Sequence, residues 1–118
     1  MIPDGVTSIA EGAFSSCNLT SIVIPKSVTS IADYAFAYCS NLTRVEIPEN
    51  VSFIGYEAFS DCSILISLTC LAAVPPTLRN DAFWNMSGTI YVPAASVEAY
   101  KAAAGWKDYA NRIQAIPE

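Results

Sequence analysis

Apolar residues recur along this chain at a fixed long spacing. Ile2-Pro3, Ile24-Pro25 and Ile47-Pro48 lie 22 and 23 residues apart. Val6, Val28 and Val51 keep the same offsets, as do Ile9, Ile31 and Ile54. The pairs Ala13-Phe14, Ala35-Phe36 and Ala58-Phe59 follow in register, then Cys17, Cys39 and Cys62. Leu19, Leu42 and Leu65 come next, and then Ile22, Val45 and Leu68. A degenerate fourth unit keeps Ala82-Phe83, carries Met86 in place of the Cys, and ends at Ile90-Tyr91-Val92-Pro93.

Within a unit, Val45-x-Ile47 alternates as a half-buried strand does, and Pro48 ends it because proline cannot donate to a strand ladder. Val51 to Ile54 predicts a second short extended piece. Ala58-Phe59-x-x-Cys62 predicts one helical turn with Phe and Cys on one side. A unit this short cannot bury its own apolar face, whereas stacked copies can. The repeat therefore predicts a solenoid of parallel strands in register. Ile22, Val45 and Leu68, and Phe14, Phe36, Phe59 and Phe83, become buried ladders.

These landmarks resemble the BspA-like, or Treponema pallidum type, class of leucine-rich repeat. Its pattern is Leu-x-x-Leu-x-Leu-Pro followed by Ala-Phe-x-x-Cys, and the likeness covers residues 2 to about 93. The expected fold is α/β but β-rich: a right-handed leucine-rich-repeat solenoid of about 3.5–4 units, each ~23 residues long, with a helical C-terminal cap. Residues 1–93 form the array and 94–118 the cap of one structural domain. The third unit departs from the pattern, with Cys70 where Ile would end the strand and an irregular connection from Leu71 to Arg79 containing Val74-Pro75-Pro76. Met1 stands directly before a strand-ending Ile2-Pro3, so the chain reads as the C-terminal portion of a longer protein or one trimmed of a leader. The N-terminal coil is then open, a surface for self-association.

After Tyr91 the pattern stops. Residues 92–105 predict a helix with Ser96 as N-cap, Glu98 in the first turn and Gly105 just past the end. Trp106, Tyr109 and Ile113 predict a second helical piece. The Tyr-Val-Pro, Ala-Tyr-Lys and Gly-Trp segments are similar to the endings of BspA-like proteins of gut Bacteroidales. Trp106 and Tyr100 read as packing for a lid over the last coil's apolar cross-section.

Composition narrows the chemistry. Hydrophobic residues make up 53% and charged ones 14%, which excludes intrinsic disorder. Six Lys and Arg against eleven Asp and Glu leave a net charge of −5, which argues against nucleic acid. No apolar run approaches the ~20 residues of a membrane span. With no histidine and no Cys-x-x-Cys pair, neither a metal site nor a Ser–His or Cys–His nucleophile is expected, and no Gly-rich phosphate loop appears. No cofactor and no enzymatic activity are predicted. Cys17, Cys39 and Cys62 occupy a core position that Met86 also fills, so free buried thiols are expected, with a coil-to-coil disulfide as the alternative. Four Asn-x-Ser/Thr sequons start at Asn18, Asn41, Asn50 and Asn85. Asn18 and Asn41, at equivalent positions before the strand, read as turn-satisfying side chains. Asp33 with Glu57, and Glu46 with Glu49, read as solvated surface carboxylates.

What remains is surface. The outward positions of the longer strand form a row across the units: Ser21 and Val23, Arg44 and Glu46, Ser67 and Thr69, Thr89 and Tyr91. Stacking makes such a row one extended face, which is where repeat proteins bind. Tyr34, Tyr38, Tyr56 and Phe53 decorate other faces. The family resemblance implies an extracellular or bacterial cell-surface module that adheres to an extracellular protein or host matrix. The contrasting expectation is a structural spacer with no ligand of its own.

Overall fold

Each repeat folds into a coil with two short strands that belong to two different parallel sheets. The computed structural model describes residues 2–117; the chain start at Met1 and the final Glu118 lie outside the described residues. Strands β1 (Ser8–Ile9), β3 (Ser30–Ile31), β5 (Phe53–Ile54) and β7 (Thr77–Leu78) form one sheet in that order. Strands β2 (Ser21–Val23), β4 (Arg44–Ile47), β6 (Ser67–Cys70), β8 (Thr89–Val92) and β9 (Ile113–Ala115) form the other. Consecutive strands of a sheet come from consecutive coils, so equivalent residues stand side by side: Ile22 against Val45, Val45 against Leu68, Leu68 against Ile90. All four are buried, as their inward alternation requires. Cys70 pairs with Ile47 and fills the same buried position.

The phenylalanine ladder is a stack through the core. Phe14 and Phe36 lie 5.4 Å apart and within 4° of parallel, and Phe36 and Phe59 lie 5.1 Å apart at 6°. Phe83 follows at 6.0 Å. Phe36, Phe59 and Phe83 are fully buried, but Phe14 is only half-buried, contrary to expectation, because among the described residues it stacks on one neighbouring ring, Phe36, where Phe36 has two. Cys17 is also half-buried, and Leu19 is 40% exposed. Leu42 and Leu65, its counterparts deeper in the array, are buried.

Ala-Phe-x-x-Cys does not form a helical turn. Its N–H groups alternate between two partners. Tyr34, Phe36 and Tyr38 donate to the carbonyls of Tyr56, Ala58 and Ser60 in the next coil at 2.7–2.9 Å, while Ala35 and Ala37 donate three residues back, to Ala32 and Tyr34. A helix would spend every N–H within its own coil and leave the coils unjoined. The alternation requires two left-handed residues per turn: Gly12 and Ser16, Tyr34 and Tyr38, Glu57 and Asp61, Asp81 and Asn85, all with φ between 50° and 65°.

The stretch Leu71 to Arg79 is less irregular than predicted, since it contains β7, paired to β5 through Phe53–Thr77 and Ile54–Leu78. The tail also departs from the expected two helices. A 3-10 turn over Ala94–Ser96 leads into α1, which covers only Val97–Ala102, and a second 3-10 segment spans Trp106–Arg112 with a kink at Tyr109. Ser96 precedes α1 but does not cap it with its side chain; its hydroxyl donates to the Ala73 carbonyl at 2.6 Å. Gly105 is left-handed, as anticipated (φ 82°), yet it opens the second 3-10 segment. Ile113 begins β9, which pairs in parallel with β8. Trp106 and Tyr100 are fully buried. Trp106 sits 5.5 Å from Phe83, and Tyr100 packs edge-on against Trp106 at 4.8 Å. Their polar ends are satisfied by chain from the irregular connection: Trp106 Nε1–H donates to Pro76 O at 2.8 Å and Tyr100 O–H to Ala72 O at 2.5 Å.

Candidate functional site: the exposed strand face

The register of the five-stranded sheet brings all eight sequence-predicted residues into two parallel rows. Ser21, Arg44, Ser67 and Thr89 are aligned neighbours, and so are Val23, Glu46, Thr69 and Tyr91. Strand alternation turns them all away from the core formed by Ile22, Val45, Leu68 and Ile90. With ~4.8 Å between strands, each row runs about 14 Å across four coils. Ser21, Val23, Arg44 and Glu46 are exposed, while Ser67, Thr69, Thr89 and Tyr91 are half-buried. An open concavity of about 510 Å³ overlies the rows; every predicted residue except Thr89 lines it.

Arg44 and Glu46 are the only charges in the two rows, two residues apart on β4. Hydroxyl side chains of Ser21 and Ser67 flank the guanidinium, and Val23 and Thr69 flank the carboxylate. A fork of guanidinium donors beside a carboxylate acceptor and five hydroxyls is suited to peptide or side-chain amide and carboxylate groups. Catalysis would need an activated nucleophile or paired acid and base, and this set contains neither.

Sequence reasoning missed two contributors. Ile66, 63% exposed, lines the concavity one residue before β6. Its counterparts are Thr20, Thr43 and Gly88, so an Ile at this outward position is the signal that was available. Gln114 extends the second row, because β9 sets it beside Tyr91. Nothing in the repeat pattern announces β9. Gly88 permits the close docking of the fourth coil: a Cβ there would meet the Ile66 carbonyl oxygen at 2.5 Å.

The other candidate groups have structural partners. Asp33 and Glu57 are half-buried, not solvated: Asp33 Oδ1 accepts from Tyr56 N–H at 2.8 Å and Glu57 Oε1 from the Ser60 hydroxyl at 3.1 Å. Tyr34 and Tyr56 pack edge to face at 5.5 Å. Among the sequons, Asn50 and Asn85 bond across coils, Asn50 to Lys26 O and Asn85 to Asp61 Oδ1. All four cysteines are free thiols. Burial pushes the Cys70 thiol up. Among the described residues, no group of three or more Cys, Asp or Glu is placed to hold a metal ion. Among the described residues, no helix is long and apolar enough to cross a membrane.

Comparisons with known proteins agree with this geometry. The family model described as the BspA type leucine rich repeat region matches residues 1–91 in six copies. A crystal structure of a leucine-rich repeat protein from Bacteroides capillosus is similar over 74% of the chain, with 37% identity and a TM-score of 0.65. The chain spans 63% of that protein's length. No curated protein matches the chain.

Proposed function

The chain belongs to the BspA-type leucine-rich repeat family, and from that membership and its exposed sheet we propose a non-enzymatic protein-binding module, adhesin-like and displayed outside a bacterial cell. The observation that carries this reading is the alignment of the two outward rows over four coils. A partner lying across them collects small contacts from every coil, the usual economy of repeat proteins. The same reading takes residues 1–93 as the array, coiled in the right-handed sense expected of parallel crossovers, and residues 94–118 as its cap. An extracellular or host-matrix protein is the partner class proposed.

The test is an affinity screen against extracellular-matrix proteins and glycans, followed by paired variants. Arg44→Ala is expected to weaken a protein partner about fivefold or more, the hot-spot threshold of ~1 kcal/mol. Ser52→Ala, on the exposed loop before β5, is expected to leave affinity unchanged. The opposite pattern moves the binding face to the other side of the coil. A screen with no binder favours the spacer.

A further inference from the structure

The cysteine column has different surroundings at Cys17 than at Cys39 and Cys62. Cys17 and Cys39 occupy equivalent positions in adjacent coils, and the Cys17 S–H donates to Cys39 Sγ at 2.8 Å. Cys39 S–H in turn points to the Phe14 carbonyl at 3.1 Å, and Cys62 S–H to the Phe36 carbonyl at 3.2 Å. Stacked coils hold equivalent Cα atoms at roughly the strand spacing of ~4.8 Å, inside the ~4.4–6.8 Å that a disulfide spans. The rings three residues earlier, Phe14 and Phe36, keep the two coils at 5.4 Å. Cys17 is half-buried, whereas Cys39, Cys62 and Cys70 are fully buried.

We propose that Cys17 and Cys39 form a redox-closed staple that ties their two adjacent coils together, with a low-molecular-weight disulfide as oxidant. This inference does not depend on the binding function. Cys17, as thiolate, attacks one sulfur of the reagent and forms a mixed disulfide, releasing the reagent's first thiol. Cys39 then attacks the Cys17 sulfur. The Cys17–Cys39 bond forms, the mixed disulfide breaks, and the second reagent thiol leaves. The reagent disulfide is reduced to two thiols, the cysteine pair is oxidised, and the thiol protons pass to solvent or to the leaving thiolates. Both steps are slower than for an unstructured cysteine. Burial and the hydrogen bond to Cys39 push the Cys17 thiol up, and the hydrogen bond with Cys62 and burial push Cys39 up further. The rate therefore climbs with pH. Cys62 and Cys70 have no route to the reagent while the chain is folded.

Folded protein incubated with oxidised glutathione, alkylated after unfolding and mapped by mass spectrometry tests this. The expected product has lost two hydrogen atoms, carries a Cys17–Cys39 cross-linked peptide, leaves Cys62 and Cys70 alkylated, and melts at a higher temperature than the reduced form. Cys62→Ala is expected to keep the cross-link. Cys17→Ser is expected to abolish both the cross-link and any glutathione adduct on the folded chain. A stable glutathione adduct on Cys17, a cross-link from Cys39 to Cys62, or four thiols still titrating after long incubation at alkaline pH overturns the proposal.

Discussion

Removing one rung from the aromatic stack is the most direct test of the architecture. Phe36 is fully buried and faces Phe14 at 5.4 Å on one side and Phe59 at 5.1 Å on the other. Truncation to Ala removes the ring's transfer free energy and leaves a cavity between two rings whose backbones are fixed by inter-coil hydrogen bonds. Phe36 N–H itself donates to Ala58 O at 2.7 Å, so collapse is resisted. Buried Phe→Ala changes cost about 3–5 kcal/mol, and this site belongs at the upper end because two stacking contacts, each worth ~0.5–1.5 kcal/mol, go with the ring. Phe14→Ala gives the internal comparison. That ring is half-buried and stacks on one neighbour, so its loss is expected to cost about half as much or less. Urea unfolding followed by far-UV circular dichroism and by tryptophan fluorescence measures both, with an unchanged m-value as the check on two-state behaviour. At ~5 kcal/mol, the midpoint of Phe36→Ala thermal unfolding falls by roughly 20 °C for a chain of this size. A Phe36→Ala cost below about 1 kcal/mol, or a Phe14→Ala cost equal to it, refutes the reading of Phe36 as a ring held between two others and Phe14 as a ring stacked on one.

Other consequences are local. Gly55→Ala would place a Cβ 2.5 Å from Asp33 N and 2.6 Å from the Ala32 carbonyl carbon, so a loss of about 1–3 kcal/mol is expected in the same melts. At Ser16, held at φ 59°, replacement by Gly is expected to be neutral or slightly stabilising, whereas Ser16→Val is expected to cost at least ~1 kcal/mol, because β-branched residues resist left-handed backbone. Tyr100 and Tyr109 are both pushed above the ordinary phenol value of 10.0, chiefly by burial. Their neutral forms are thus favoured by the fold; stability is fully present below pH 10 and is lost as pH rises above it, which a pH series of urea midpoints reads directly.

The coils were legible because inward positions are constrained from both sides. An apolar residue in a ladder touches its equivalents above and below, so the same type recurs at each rung: Ile9, Ile31, Ile54; Phe14, Phe36, Phe59, Phe83. Where that constraint weakens, so does the signal. β7 follows Pro75-Pro76 and carries a single buried apolar side chain, Leu78, which reads as loop. β9 has only Ile113 buried, and its pairing is dictated by the free edge of β8 rather than by its own pattern. The turn over Ala35–Cys39 has helical spacing in its side chains. Its backbone is instead governed by hydrogen bonds to the next coil, a demand that acts between repeats and leaves no mark on the spacing within one.

The strand face obeys the opposite logic. Strand alternation alone assigned its eight positions to one side, and the register then aligned them. Outward residues answer to solvent, so they are free to differ from coil to coil, and on the proposed binding face those differences are where a partner would find its register. Ser21, Ser67 and Thr89 keep one row small and hydroxylic; Arg44 breaks it. Thr20, Thr43 and Gly88 keep the preceding position modest; Ile66 breaks it and stands 63% exposed on the same concavity. A charged fork and a bare aliphatic side chain, one strand apart, are the points at which the hydroxylic row and the position before it give up their regularity. A partner that used the uniform positions alone would bind every coil alike, with nothing to fix its register. On the proposed binding face Arg44 and Ile66 would supply that register, so the double variant Arg44→Ser, Ile66→Thr, which restores the repeat's average, is expected to abolish measurable affinity while leaving the urea midpoint unchanged. A double variant that still binds as the parent does places recognition on another face.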